Sequence, residues 1–242
     1  MESVRSLLEK GLALHRAGRA PQAETYYRQA LEAEPGNANA LHLLGVCALE
    51  GGRAVEVIAL IGKAAVKDGQ NANIQVHLGD ACRAAGQMEN AASAYLRATD
   101  LSPKDIEAHY HLGMTLGALG RFKAAVPVYR RALAQTPDSA ELHLLLGIAL
   151  RDSGDLAGAE QTYRRALELR SDYAEAYGNL ANALQKQRRL DEAIENYRAA
   201  IAIRPEFFRQ AASNLSSTGK GRVWLKLSKA RSELMKSEAT SS

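Results

Sequence analysis

Apolar residues fall along the chain in blocks of about fourteen, most of them closed by glycine or proline. That length suits a helix and exceeds an ordinary strand. Within the blocks Ala, Leu, Glu and Arg predominate, all good helix formers. The blocks recur with a period of 34 residues: Gly11, Gly45, Gly79, Gly113 and Gly147 form one column, which continues to Ala181. Sixteen residues further on stand Tyr27, Ile61, Tyr95, Tyr129, Tyr163 and Tyr197, and nineteen further on Ala30, Ala64, Ala98, Ala132, Ala166 and Ala200. A second glycine column (Gly18, Gly52, Gly86, Gly120, Gly154) marks a turn inside each unit, and Pro35, Pro103, Pro137 and Pro205 mark unit ends.

These columns predict two antiparallel helices per unit. Small residues in the anchor-glycine and alanine columns let helix axes approach to about 8 Å, and the tyrosine fills the wedge above them. One such pair is too small to bury its own apolar face, so neighbouring units must stack.

The strings LHLLGVCALEGGR, AHYHLGMTLGALGRFKAAVPVYRRAL, ELHLLLGIALRDSGDLAGAEQTYRRALEL and AYGNLANALQKQRRLDEAIENYRAAI carry L-G (L-A in the last) in the first helix, and all but the first go on to A-x₃-Y-x₂-A in the second. In this the chain resembles the tetratricopeptide repeat family. The resemblance implies an all-α fold, a right-handed superhelix of antiparallel helix pairs. Six units are expected at 4–37, 38–71, 72–105, 106–139, 140–173 and 174–207. Unit two departs from the pattern, with Val57, Ile61 and Gly69 in place of Ala, Tyr and Pro, so its packing on its neighbours is expected to differ. Pro127 lies inside the second helix of unit four, where it removes the bond to the Lys123 carbonyl and is expected to bend the helix; Pro21, at a helix start, is harmless.

Beyond residue 207 the period breaks. The segment FFRQAASNLSS reads as a seventh first helix displaced by one residue. RVWLKLSKARSELMK reads as a last helix, with Val223, Leu227, Ala230 and Leu234 on one stripe and Lys226, Lys229, Glu233 and Lys236 opposite. The expectation is that 208–236 is a degenerate seventh repeat whose basic helix caps the stack, followed by a flexible tail at 237–242. The alternative is a basic amphipathic helix that meets an anionic membrane or another protein.

Composition adds little except by exclusion. The chain is 46% apolar, 24% charged and 5% aromatic, which describes an ordinary globular protein. Its net charge of +4 comes entirely from beyond residue 218, where six cations face only Glu233 and Glu238. The repeat body is neutral, so nucleic-acid binding is not expected, and membrane contact is confined to 219–236. No run of 18 apolar residues and no secretory leader are present in the sequence, which points to the cytoplasm. Asn214-Leu215-Ser216 fits a glycosylation acceptor but lacks that secretory context.

Catalytic constellations are missing from the sequence: no phosphate-binding glycine loop, no H-E-x-x-H, no G-x-S-x-G. The protein is therefore expected to be no enzyme and to need no cofactor or metal. All six histidines fall on first helices; His109 and His111 are about 200° apart on the helix and cannot share an ion, whereas His77 and His111 share a column and lie near each other without a third ligand. Cys47 and Cys82 sit on the small-residue face and read as inert core thiols.

In the repeat family the face of each first helix turned away from its partner lines a concave groove that takes peptides or helices. Transferred to this chain, the resemblance points to Val76, His77, Asp80 and Arg83, then Tyr110, His111 and Met114, then Leu144, Leu145, Ile148 and Arg151, as an apolar-centred contact surface. Unit six offers Asn179, Asn182, Gln185 and Lys186, with Asn214 in the matching column. This end is similar to the asparagine ladder of the superhelical repeats of O-linked N-acetylglucosaminyltransferases. The carboxylate clamp of chaperone-tail binders needs Lys and Asn together in one unit, and the lysine's place here reads Leu8, His42, Val76, Tyr110, Leu144 and Gly178, so binding of Hsp70 or Hsp90 tails is not expected. Three roles follow as expectations: a non-catalytic adaptor for a protein segment, a substrate-presenting accessory to a glycosyltransferase, or a self-associating scaffold. Only Val55, Val57, Ile58 and Leu60 of unit two speak for the last.

Overall fold

A computed structural model describes residues 2–216, and within them thirteen α-helices and no strand are found. They are α1 (Val4–Arg16), α2 (Ala20–Ala33), α3 (Ala38–Glu50), α4 (Ala54–Lys67), α5 (Ala72–Ala84), α6 (Met88–Leu101), α7 (Ile106–Ala118), α8 (Phe122–Gln135), α9 (Ala140–Ser153), α10 (Leu156–Leu169), α11 (Ala174–Lys186), α12 (Leu190–Ile203) and α13 (Phe207–Ser216). None of these is long and apolar enough to cross a membrane. The segment read as a basic capping helix lies outside the described residues.

Local chemistry accounts for the helix bounds. A short polar residue stands just before each of the first five odd-numbered helices (Ser3, Asn37, Asn71, Asp105, Ser139), and its side chain accepts a hydrogen bond from a first-turn amide. Asn37 Oδ1 lies 2.9 Å from the Ala40 amide and Asp105 Oδ1 3.0 Å from that of Ala108. These bonds satisfy donors that the helix itself cannot. At α11 the place is taken by Tyr173, which makes no such bond; the Arg170 guanidinium lies 3.3 Å from the centroid of its ring.

The turn between paired helices is set by the second glycine column. Gly18, Gly52, Gly86, Gly120 and Gly154 all have positive φ, between 69° and 100°. In the sixth repeat the same place is held by Arg188, the one non-glycine described residue with positive φ, at 65°. Helix α8 runs through Pro127 without interruption.

The chain forms two compact units, Met1–Arg121 and Phe122–Ser242. In the first, α1 to α7 pack each on the next in the chain. Its core joins Leu41, Ala48, Val57, Ile61, Ala64, Ile74 and Ala81, with a second cluster of Ala23, Tyr27, Leu44 and Cys47 beside it. In the second, α8 to α12 pack in the same sequential way, and α13 lies against both α11 and α12. Leu142, Leu146, Tyr163, Leu180, Leu184 and Tyr197 are buried within it.

The anchor-glycine column is a close approach. A Cβ added at Gly79 would lie 2.5 Å from Tyr95 Cε1, and at Gly11, Gly45 and Gly147 it would overlap Tyr27, Ile61 and Tyr163. Charge pairs tie one repeat to the next. Glu24 of α2 meets Arg53 at 2.7 Å, and Glu160 of α10, 7% exposed, meets Arg189 at 2.7 Å and accepts a bond from Gln187 at 3.0 Å. Burial raises the Glu160 carboxyl, but the bonds from Arg189 and Gln187 outweigh it and hold the group ionised.

Candidate functional site

In the first unit the outward faces of α3, α5 and α7 carry a chain of polar and aromatic contacts. His42 Nε2 lies 2.6 Å from His77 Nδ1. Burial, reinforced by His77, pushes His42 down to about pKa 4, and burial lowers His77 as well. Asp80 accepts a 2.7 Å bond from the Tyr95 hydroxyl, and Arg83 Nε donates to the same hydroxyl at 3.4 Å. Burial and the Asp80 carboxylate together raise the Tyr95 phenol well above its usual range. The His111 ring stacks on Tyr95 at 5.5 Å, Tyr110 meets His111 edge-on at 5.5 Å, and Met114 is 43% exposed. The sequence placed His77 beside His111; in the structure His77 meets the ring of His42, and His111 those of Tyr95 and Tyr110.

Two residues expected on an open wall are core residues. Val76 is 8% exposed and Leu144 7%. Successive first helices touch, α3 with α5 and α9 with α11, so neither helix stands as an isolated wall. At Gly178, the same place in α11, the ring of Phe207 occupies the space: an added Cβ would lie 2.9 Å from it. Leu145 and Ile148 remain half-buried. The apolar centre read from the sequence is therefore narrower in the structure.

The second unit holds a polar cleft of about 490 Å³, lined by Arg151 and Asp152 of α9, Asn179, Asn182, Gln185 and Lys186 of α11, and Gln210 and Asn214 of α13. Arg151 forks onto Asp152 at 2.7 and 2.9 Å and also donates to Asn179 Oδ1 at 2.6 Å. The fork holds the Asp152 carboxyl below its usual range. Asn179 Nδ2 donates to the Glu175 carbonyl at 2.9 Å, which fixes which way the amide faces. Asn214 Nδ2 donates to Asn182 Oδ1 at 2.5 Å, the Tyr197 hydroxyl donates to that same oxygen, and Gln185 Nε2 donates to the Asn214 carbonyl at 2.7 Å. Lys186 is exposed at the rim. The amides are thus bonded to one another across α11 and α13, unlike a ladder of separate side chains facing a ligand.

A relation that sequence reasoning missed joins the two helices of the third and sixth repeats. The tyrosine of the second helix reaches back fifteen residues to the first, to Asp80 from Tyr95 and to Asn182 from Tyr197. Where that place holds Leu12 or Ile148, the hydroxyls of Tyr27 and Tyr163 are buried without a hydrogen-bond partner. A polar residue fifteen before the tyrosine is the signal that would have found it.

Among the described residues no group of three or more His, Cys, Asp or Glu is placed to hold a metal ion. Cys47 and Cys82 are both buried; burial pushes the Cys47 thiol up to about 11 and raises that of Cys82, so neither is a ready nucleophile.

Comparison with known proteins bears on the fold. Tetratricopeptide repeat family models match residues 14–78, 79–120, 110–174 and 174–207. No curated protein sequence matches the chain. Among solved structures, YrrB, described as a tetratricopeptide protein with an unusual peptide-binding site, superposes with a TM-score of 0.68 at 21% identity, over 74% of this chain and 92% of its own. MamA from Desulfovibrio magneticus RS-1 gives 0.64 at 19% identity over 70% and 96% of the two chains. PilF of Pseudomonas aeruginosa gives 0.65 at 19% over 87% and 97%. These likenesses establish the architecture, and together with the repeat models they show that the chain belongs to the tetratricopeptide repeat family.

Proposed function

We propose that the protein is a non-catalytic interaction module that holds a segment of another protein in the cleft of its second unit. The observation that carries this is the convergence of three first helices, α9, α11 and α13, on one open cleft. Its walls present amides, the Arg151–Asp152 pair and the exposed Lys186. An extended peptide supplies alternating N–H and C=O groups, and side-chain amides can serve either. Lys186 adds a preference for an acidic neighbour along that segment. The architecture shared with YrrB, itself described as having a peptide-binding site, supports the reading. In the first unit, Tyr110, His111 and Met114 offer a smaller aromatic and thioether surface of the sort that accepts apolar anchors. A role in presenting substrates to a glycosyltransferase would draw on the same cleft amides, and no second observation favours it.

The test is selection of peptides from a display library on the full chain, followed by titration of the best binder against variants. Lys186→Glu and Asn179→Ala are expected to weaken binding at least about tenfold, with the fold unchanged by circular dichroism. Equal affinity in both variants sinks the proposal.

A further inference from the structure

Helix α4 carries an apolar stripe on its outer face that its own fold does not use. Val55 is 87% exposed and Val66 85%, and Ala59 and Gly62 lie between them on the same line, opposite the fully buried Val57, Ile61 and Ala64. An added Cβ at Gly62 would meet nothing within 4 Å, so no packing in the chain requires glycine there, although glycine inside a helix weakens it. The other second helices provide a control. Where α4 has Gly62 they have Arg28, Leu96, Arg130, Arg164 and Arg198, and where it has Val66, α2, α6 and α10 have Glu32, Asp100 and Glu168. Stacking of repeats accepts charge at these places, so the stripe serves something outside the stack. Beside it runs a groove of about 420 Å³, floored by Ile58, Gly62 and Val66 of α4 and closed by Pro35 and Leu41.

We propose that this face is the interface between two copies of the chain, α4 lying antiparallel on α4 about a two-fold axis. Such an interface demands that if one residue faces another, the second faces the first. The stripe meets the demand: Val55, Ala59, Gly62 and Val66 are spaced four, three and four residues apart, the same read in either direction. Set antiparallel about its midpoint, Val55 lies against Val66 of the second copy, and Ala59 against Gly62, where two small residues let the axes come close. Charge selects the same arrangement. Glu56, in the first turn, and Lys63 and Lys67, in the last turns, share one flank of the stripe. Arg28 at 3.1 Å and Arg53 at 3.0 Å fix the Glu56 carboxylate there. A two-fold axis lays this flank against its own copy and brings Glu56 opposite Lys63 and Lys67. A parallel pairing would lay this flank against the opposite one, where Ile58 and Ala65 stand, and give these charges no partner across the seam.

Light scattering and sedimentation of the full chain from about 1 μM to about 1 mM test the proposal, a range in which a single-helix contact dissociates measurably. The mass is expected to rise from the 26.1 kDa of the monomer towards twice that value. Gly62→Arg and Val66→Glu, both pointing into solvent, are expected to weaken association at least about tenfold with helicity retained, the melting temperature holding in Val66→Glu and holding or rising in Gly62→Arg. Glu56→Lys is expected to weaken it, and Glu56→Lys with Lys63→Glu and Lys67→Glu to restore it. A monomer at every concentration overturns the proposal and assigns the stripe to a different protein. A dimer whose affinity is the same in Gly62→Arg and Val66→Glu overturns it equally.

Discussion

His42 Nε2 and His77 Nδ1 stand 2.6 Å apart and join α3 to α5 through one shared proton. Only one of the two facing nitrogens carries a hydrogen, so the bond needs at least one neutral ring. Burial and then His77 lower His42 from 6.5 to about 4. In the unfolded chain it titrates near 6.5, so below that pH the unfolded state binds more protons than the folded one. The stability held above about pH 6.5 is therefore lost as the pH falls towards about 4, by up to about 3 kcal/mol. Urea unfolding at about pH 7.5 and about pH 4.5 measures the difference, and His42→Asn is expected to remove most of it. A pH response identical in that variant would exclude the pair as its origin.

The tyrosine column gives a contrast between repeats. Tyr163 buries its hydroxyl without a partner, whereas that of Tyr95 is bonded to the Asp80 carboxylate. Tyr163→Phe is expected to be neutral or to stabilise by up to about 1 kcal/mol, and Tyr95→Phe to cost about 1.5–3 kcal/mol. Chemical denaturation of the two variants reads this directly.

Glycine at two sites serves opposite ends. At Gly79 an added methyl meets the Tyr95 ring, so Gly79→Ala is expected to cost about 1–3 kcal/mol. Ala181, at the same place in α11, is buried beside its own tyrosine, which shows that a ring can be seated to admit the methyl and holds the cost to that range. Gly62→Ala meets open space and should stabilise α4 by about 0.5–1 kcal/mol. Opposite shifts in denaturation midpoint would bear out both statements.

Arg188 holds a left-handed turn, at φ 65°, that five glycines hold elsewhere. Arg188→Gly relieves the Cβ crowding at that backbone angle and is expected to add about 1 kcal/mol, or about 2–4 °C in melting temperature. An unchanged or lower melting temperature would mean that the arginine side chain earns its place by another contact.

Much of the fold was legible because its constraints are local and periodic. The turn glycines and the anchor glycines each answer to one steric demand repeated every 34 residues, and their columns show it. The site was less legible because its faces depend on what a neighbouring repeat covers. A helical wheel for α5 or α9 alone leaves Val76 and Leu144 open; each of these helices touches a first helix of a neighbouring repeat, α3 and α11, and both side chains are buried. The pairing of His42 with His77 was missed for a related reason: they stand one place apart in their repeats, and column reading compares only equal places. The Tyr95–Asp80 bond was missed because tyrosine was weighed as an apolar filler and its hydroxyl left out. On α4 the sequence singled out Val55, Val57, Ile58 and Leu60; Val57 proved fully buried, and Val66 and Gly62 complete the exposed line.

The cleft of the second unit draws its walls from three consecutive repeats. Repeat stacks open one boundary at a time, beginning where fewest neighbours hold them. An occupant that spans α9, α11 and α13 is released by the failure of either boundary, and while bound it splints both. Its residence time is then governed by fraying as much as by its own contacts, and hydrogen exchange across α11 and α13 should slow together when the cleft is filled.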